Sequence, residues 1–220
     1  MNDAKVVAGL SGVGATLFIA VGAVMLGSAP KSDDLAASAL EFTREHRGRL
    51  LAATWLLGVG FALALVFVIG LTVVARRSAG IAEHWPTIAL ALGIATFTLG
   101  AAALACVSSA AYRSTNIEAD SVRLMWDLFA ALTNVSNIMT IFSSVAIGVM
   151  ILAGDAVPRW IGWSSFVVAA AHFIASVSLA QDGSFSPTGT FGQAAGFIYL
   201  LWMLASSVAL IRTRSVTTGS

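Results

Sequence analysis

A single formal charge, Asp127, interrupts six apolar blocks that together hold 145 residues: 6–27, 50–75, 87–112, 124–153, 160–179 and 191–211. Each block has 20 residues or more. At about 1.5 Å of rise per helical residue, that length crosses a hydrocarbon layer of roughly 30 Å. Continuous apolar runs do not build an outer-membrane barrel, whose strands alternate apolar and polar residues. A soluble domain is excluded on charge, because only 10% of the residues are charged, against the roughly 25% that a water-facing surface uses. The expected fold is all-α: a polytopic membrane protein with six transmembrane helices in one bundle, forming a single domain over residues 1–220.

The remaining charge narrows the function classes. Twelve Lys and Arg against eleven Asp and Glu give a net charge of +1, so no basic field exists to hold nucleic acid. Both lysines, Lys5 and Lys31, lie outside the apolar blocks, which removes a Schiff base buried in the bundle. Cys106 is the one cysteine and reads as a small packing residue. The first block is longer than a signal-peptide core of 7 to 15 residues and is expected to remain as an uncleaved span.

Between the blocks the punctuation is that of helix ends. Pro86 and Pro158 sit where a missing N–H costs little, and Thr115 with Glu118 has capping-box spacing. In the long first loop, 29–49, Asp33 or Asp34 is expected to cap an amphipathic helix carrying Leu35, Leu40 and Phe42. It runs toward the second span, with Glu45 and Arg49 paired at i, i+4. Trp85, Trp126, Trp160 and Trp163 lie near block ends, where an amphipathic ring favours the headgroup zone. Lys and Arg divide evenly, six to each side. The acids beside Arg44, Arg47, Arg49, Arg113 and Arg123 tip the expected orientation toward cytoplasmic termini in a bacterial cytoplasmic membrane. Spans one to three share no residue pattern with spans four to six, as an inverted transporter repeat would.

Helices in hydrocarbon associate through small residues and interhelical hydrogen bonds. Ser11 with Ala15, Ala23 with Gly27, and 100–105 supply such surfaces. The fourth span is patterned differently. At 100° per residue, Asp127, Thr133, Asn134, Asn137, Thr140 and Ser144 fall in an arc of about 140°, a face that lipid does not tolerate and that must look into the bundle or a watered cavity. It is either a hydrogen-bonded seam or the lining of a ligand or ion site. In the fifth span Ser165, Ala169, His172 and Ser176 share a face. Placed antiparallel, His172 lies about 10 Å deep, between Asp127 and Asn134, so the three could meet. Asp127 is expected to be protonated or to lie inside the bundle facing Arg123, Arg113 or His172, with Asn134 and His172 lining the same cavity. Above them Arg49, Arg113 and Arg123, with Asp120, Gln181, Asp182 and Gln193, would rim a mouth suited to an anionic headgroup or small acid. The candidate ligand-binding residues are Asp127, Asn134, Asn137, His172, Arg49, Arg113 and Arg123.

No enzyme chemistry is complete. A zinc hydrolase needs three or four converging ligands, and the histidines are His46, His84 and His172, with His84 on the other side. A bis-histidine haem needs two axial histidines in the bundle, and only His172 qualifies. No G-x-S-x-G elbow is present. The residues name neither a catalytic set, nor a metal site, nor a cofactor.

Thr43-Arg44-Glu45-His46-Arg47-Gly48-Arg49 ahead of a long apolar span, the Pro158-Arg159-Trp160-Ile161-Gly162-Trp163 start of the fifth span, and the closing span from Trp202 to Arg212 resemble a broad family of uncharacterised six-helix bacterial integral membrane proteins of actinobacterial type. The resemblance covers most of the chain in layout and implies the topology without implying an activity. Three readings of function stay open on the residues. The first is a polar pocket in the half opposite the termini that binds a small or lipid-like ligand. The second is an accessory or assembly subunit whose seams a partner protein or a second copy fills, and the third is a small transporter or proton-coupled permease.

Overall fold

The computed structural model describes residues 2–27, 29–30, 34–76, 84–177 and 189–212. These form seven α-helices: α1 (Asn2–Leu26), α2 (Ala36–Glu45), α3 (Arg47–Arg76), α4 (His84–Arg113), α5 (Ala119–Leu152), α6 (Arg159–Ser176) and α7 (Thr190–Arg212). With α2 set aside, each helix packs on its neighbour in chain order and α7 returns to α1, so that six helices close a ring. Phe67, Leu71, Met150, Ile161, Met203 and Leu210 fill the interior with no more than 2% exposure. The outer faces are just as apolar, with Leu10, Leu17, Val24, Val167, Phe173 and Phe197 exposed. A helical ring that is apolar inside and out is membrane-embedded, because only lipid can cover such a surface.

Five helical stretches are long and apolar enough to cross a membrane: Asp3–Leu26, Arg47–Arg76, His84–Arg113, Ala119–Leu152 and Thr190–Arg212. The expected span 160–179 is shorter as a helix. α6 has 18 residues and ends at Ser176, with a non-helical Val177 after it, and residues 178–179 lie outside those described. The expected span 124–153 is longer. Ala119 to Arg123 continue α5 toward its start, because polar residues extend a helix beyond the apolar block wherever water solvates them. At 1.5 Å per residue, the 34 residues of α5 run about 51 Å and the 18 of α6 about 27 Å.

Two glycine sites set the geometry. Gly27 ends α1 with φ 68°, a left-handed conformation that a Cβ would oppose. It and Ala23 are exposed, so that pair terminates a helix and does not supply the expected packing surface. Gly148 and Gly162 bring α5 and α6 together: a Cβ on Gly148 would lie 3.0 Å from the Gly162 carbonyl oxygen, and one on Gly162 would lie 3.1 Å from that of Gly148.

The loop helix forms, with three corrections. Its cap position is Leu35, extended and without a side-chain cap. Asp34 stands just before it, and Asp33 lies outside the described residues. The helix breaks at His46, so Glu45 and Arg49 belong to different helices, and Arg49 lies over the Phe42 ring at 6.0 Å. The buried face is Ala39 and Thr43, while Leu35 is 75% exposed. α2 packs chiefly on α5, with lesser contact to α3 and α4, and covers a second apolar cluster of Leu50, Val107, Ala110, Val122 and Trp126. Trp126 is therefore no interface anchor. It is 4% exposed, and its Nε1 donates to Thr43 Oγ1 at 3.0 Å. The expected Thr115 capping box is absent too: Glu118 holds the cap position of α5, with no side-chain cap bond.

Candidate functional site

The polar face of α5 changes character along its length. Thr140 and Ser144, toward the inner half, are buried. Thr133, Asn134 and Asn137 are half-buried, and Asp127 is exposed. Threonine at mid-helix satisfies its hydroxyl on the preceding turn: Thr133 donates to Phe129 O at 2.7 Å and Thr140 to Ser136 O at 2.9 Å. The links to α4 come from the adjacent strip, where Ser136 donates to Thr96 O at 3.0 Å and Ser143 to Ala89 O at 3.5 Å. Both donors and both acceptors are seven residues apart, two turns on each helix, which marks an antiparallel seam. The sequence reading missed these serines because they lie about 40–60° outside the polar arc.

Asn134 differs from its neighbours, because its Oδ1 is buried and accepts no hydrogen bond from the described residues. An unpaired buried acceptor costs about 1–3 kcal/mol.

His172 is 5% exposed. Its Nδ1 lies 3.0 Å from Val168 O, and its ring meets Tyr199 edge-on at 5.9 Å. Tyr199 packs on Trp202 at 5.6 Å, and Trp202 on Phe67 at 5.8 Å. With α5 and α6 crossing at Gly148 and Gly162, ten residues along each helix bring His172 level with Ile138. That places it about 16 Å along the axis from Asp127 and about 6 Å from Asn134. The expected meeting of Asp127, Asn134 and His172 is corrected to this extent. Of the partners expected for Asp127 it meets Arg123, on its own helix, whose Nε lies 3.1 and 3.2 Å from the two carboxylate oxygens, but its side chain is half-exposed and does not lie inside the bundle.

The arginines are largely committed to structure. Arg44 Nε donates to Ser114 O at 2.6 Å and Arg47 Nε to Ala111 O at 3.2 Å. These are carbonyls at the end of α4, where a helix leaves its acceptors without partners. Arg123 also donates from Nη1 to the Asp34 carbonyl. Arg49 sits on Phe42, and Arg113 is exposed at the end of α4. Gln193 is exposed at the start of α7, and Gln181 and Asp182 lie outside the described residues. The expected rim is thus a set of separate ties with Arg113 at its edge.

Two spaces remain. One is a cavity of about 10 Å³ among Val68, Thr96, Thr140, Ser143, Ser144 and Tyr199, with room for one water-sized molecule. The other is an open groove of about 560 Å³ outside the ring, lined by Ala37, Leu40, Glu41, Arg44, Glu45 and Ala119. Among the described residues no three His, Cys, Asp or Glu side chains come close enough to hold a metal. No protein-family model, no curated protein and no solved structure matches the chain.

Proposed function

We propose that this is a single-domain, six-span protein of the bacterial cytoplasmic membrane with cytoplasmic termini, and that the half of the bundle opposite the termini binds a small or lipid-like ligand. α6 supplies the sixth span. The observation that carries the ligand reading is the Asn134 amide oxygen, buried without a donor among the described residues on the polar face of α5. A bound N–H or O–H group satisfies it. Asn137 continues that face one turn deeper, and His172 is level with it on α6. Arg49 and Arg113 mark the entrance, and the Arg123–Asp127 pair borders it. The resemblance to six-helix bacterial membrane proteins supports the same layout.

The cavity beside Thr140 and Tyr199 is water-sized, so a larger ligand engages the face of α5 from the outer half. The same dimension favours a second reading, in which a helix of a partner subunit or of a second copy donates to Asn134. Native mass spectrometry of the detergent-extracted protein separates the two, since a bound small molecule or lipid adds a mass unlike that of a polypeptide. Asn134→Leu, which removes the acceptor at similar volume, is expected to abolish the added mass. Retention of the same added mass by Asn134→Leu would refute both readings.

A further inference from the structure

α2 has ten residues and no side-chain cap at its start, a length at which an isolated helix is unstable in water. It is helical because other elements hold it, and its two ends are held differently. Toward the C-terminal end the ties are buried or run to backbone. Thr43, fully buried, accepts from Trp126 Nε1, and Arg44 reaches Ser114 O. At the N-terminal end, beside the packing of Ala39, the polar tie described is Arg123, whose Nη1 donates to Asp34 O while its Nε is held by both oxygens of Asp127. The Asp127 side chain is 50% exposed while that of Arg123 is 17% exposed, so this end is fastened through a covered guanidinium whose carboxylate partner is open to its surroundings.

We propose that α2 is a strap that releases from its N-terminal end, with Arg123 as its clasp and Asp127 as the positioning residue that aims the guanidinium at Asp34. Release lifts the first turns of α2 from α5 and uncovers Val122 at the outer end of the bundle, while Thr43, held by Trp126, and Arg44 keep the far end in place. This gives the one charge of the apolar blocks a task that does not depend on a ligand: a carboxylate four residues from Arg123 restricts the rotamers of a long side chain and directs its second nitrogen across to another element.

The test is amide hydrogen exchange of the full-length protein in lipid nanodiscs, read by mass spectrometry. In Arg123→Gln and in Asp127→Ala, exchange over residues 36–40 is expected to rise three- to tenfold. Residues 43–46 and helices α3 to α7 should stay at the wild-type rate. Asp127→Glu should restore most of the protection, because the carboxylate is kept. Trp126→Phe should produce the opposite pattern, with faster exchange over 42–46. Unchanged exchange over 36–40 in Arg123→Gln would overturn the clasp. A response in Arg123→Gln but not in Asp127→Ala would overturn the positioning role, and faster exchange throughout α5 would show general destabilisation in place of strap release.

Discussion

The two apolar clusters of the molecule are built by different means. Around Phe67 the inner cluster joins all six ring helices chiefly through close packing, with Ala8, Val68, Phe97, Met150, Ile161 and Met203 interlocked and glycines admitting α6 to α5. The outer cluster, around Trp126 and Leu50, is covered by a helix too short to stand alone, and polar ties make up the difference: one indole to a hydroxyl and several arginines to carbonyls. Burying apolar surface between helices gains little where lipid is the alternative, so cohesion there comes from shape. At the outer end, where α2 lies on the helix termini, exposed carbonyls give arginine something to hold. The inner cluster should therefore answer to volume, and the outer one to hydrogen bonds.

That contrast orders the expected effects. Phe67→Ala should be the most damaging, at about 3 kcal/mol in reversible unfolding from lipid–detergent micelles, because it empties the centre of the ring. An effect below that of any outer-cluster substitution would reverse the comparison. Gly148→Val should follow at about 2 kcal/mol, since the new side chain meets the α6 backbone. It should also weaken crosslinking between cysteines placed on α5 and α6. Trp126→Phe keeps most of the volume and loses one hydrogen bond, for about 1 kcal/mol, with exchange changes confined to α2. Ser136→Ala, which cuts one link of the α4–α5 seam, should cost about 0.6 kcal/mol. Asp127→Ala should be the mildest in the same unfolding assay, at no more than about 0.5 kcal/mol, because an exposed i, i+4 pair contributes little to global stability. A loss of several kcal/mol there would mean a buried charge network and would erase the distinction between the two clusters.

What the sequence made legible follows from the same physics. Apolar blocks located the long helices because hydrocarbon leaves a spanning backbone few alternatives to a helix. The loop helix was legible from its amphipathic spacing, although Leu35 falls on its exposed side and Asp34 outside its cap. The meeting of Asp127 with His172 was misjudged because it needed the relative height of α5 and α6. That height is fixed by where Gly148 crosses Gly162, and by how far the polar start of α5 continues as helix. Neither quantity is written in hydropathy. Trp126 looked like an anchor because it lies near the edge of an apolar block, and only its neighbour in space, Thr43, shows otherwise. Asn134 stood out in the sequence as one polar residue of the α5 arc among several; that its Oδ1 is buried without a donor among the described residues becomes visible only in the structure.

The ring of helices has a consequence for the order in which the molecule is assembled. Helices that neighbour one another in the chain also neighbour one another in space from α3 to α7, so each pair can dock soon after its second member enters the membrane, with little chain to close between them. The contact of α7 with α1 is the exception, since nearly the whole chain separates its two sides. Until α7 arrives, the groove beside Gly9 and Gly12, which Ser207 and Ile211 occupy, stands open to lipid, and Phe67 lacks the ring of Trp202. The seal between the first helix and α7 is the step that turns a curved row of helices into a closed structure.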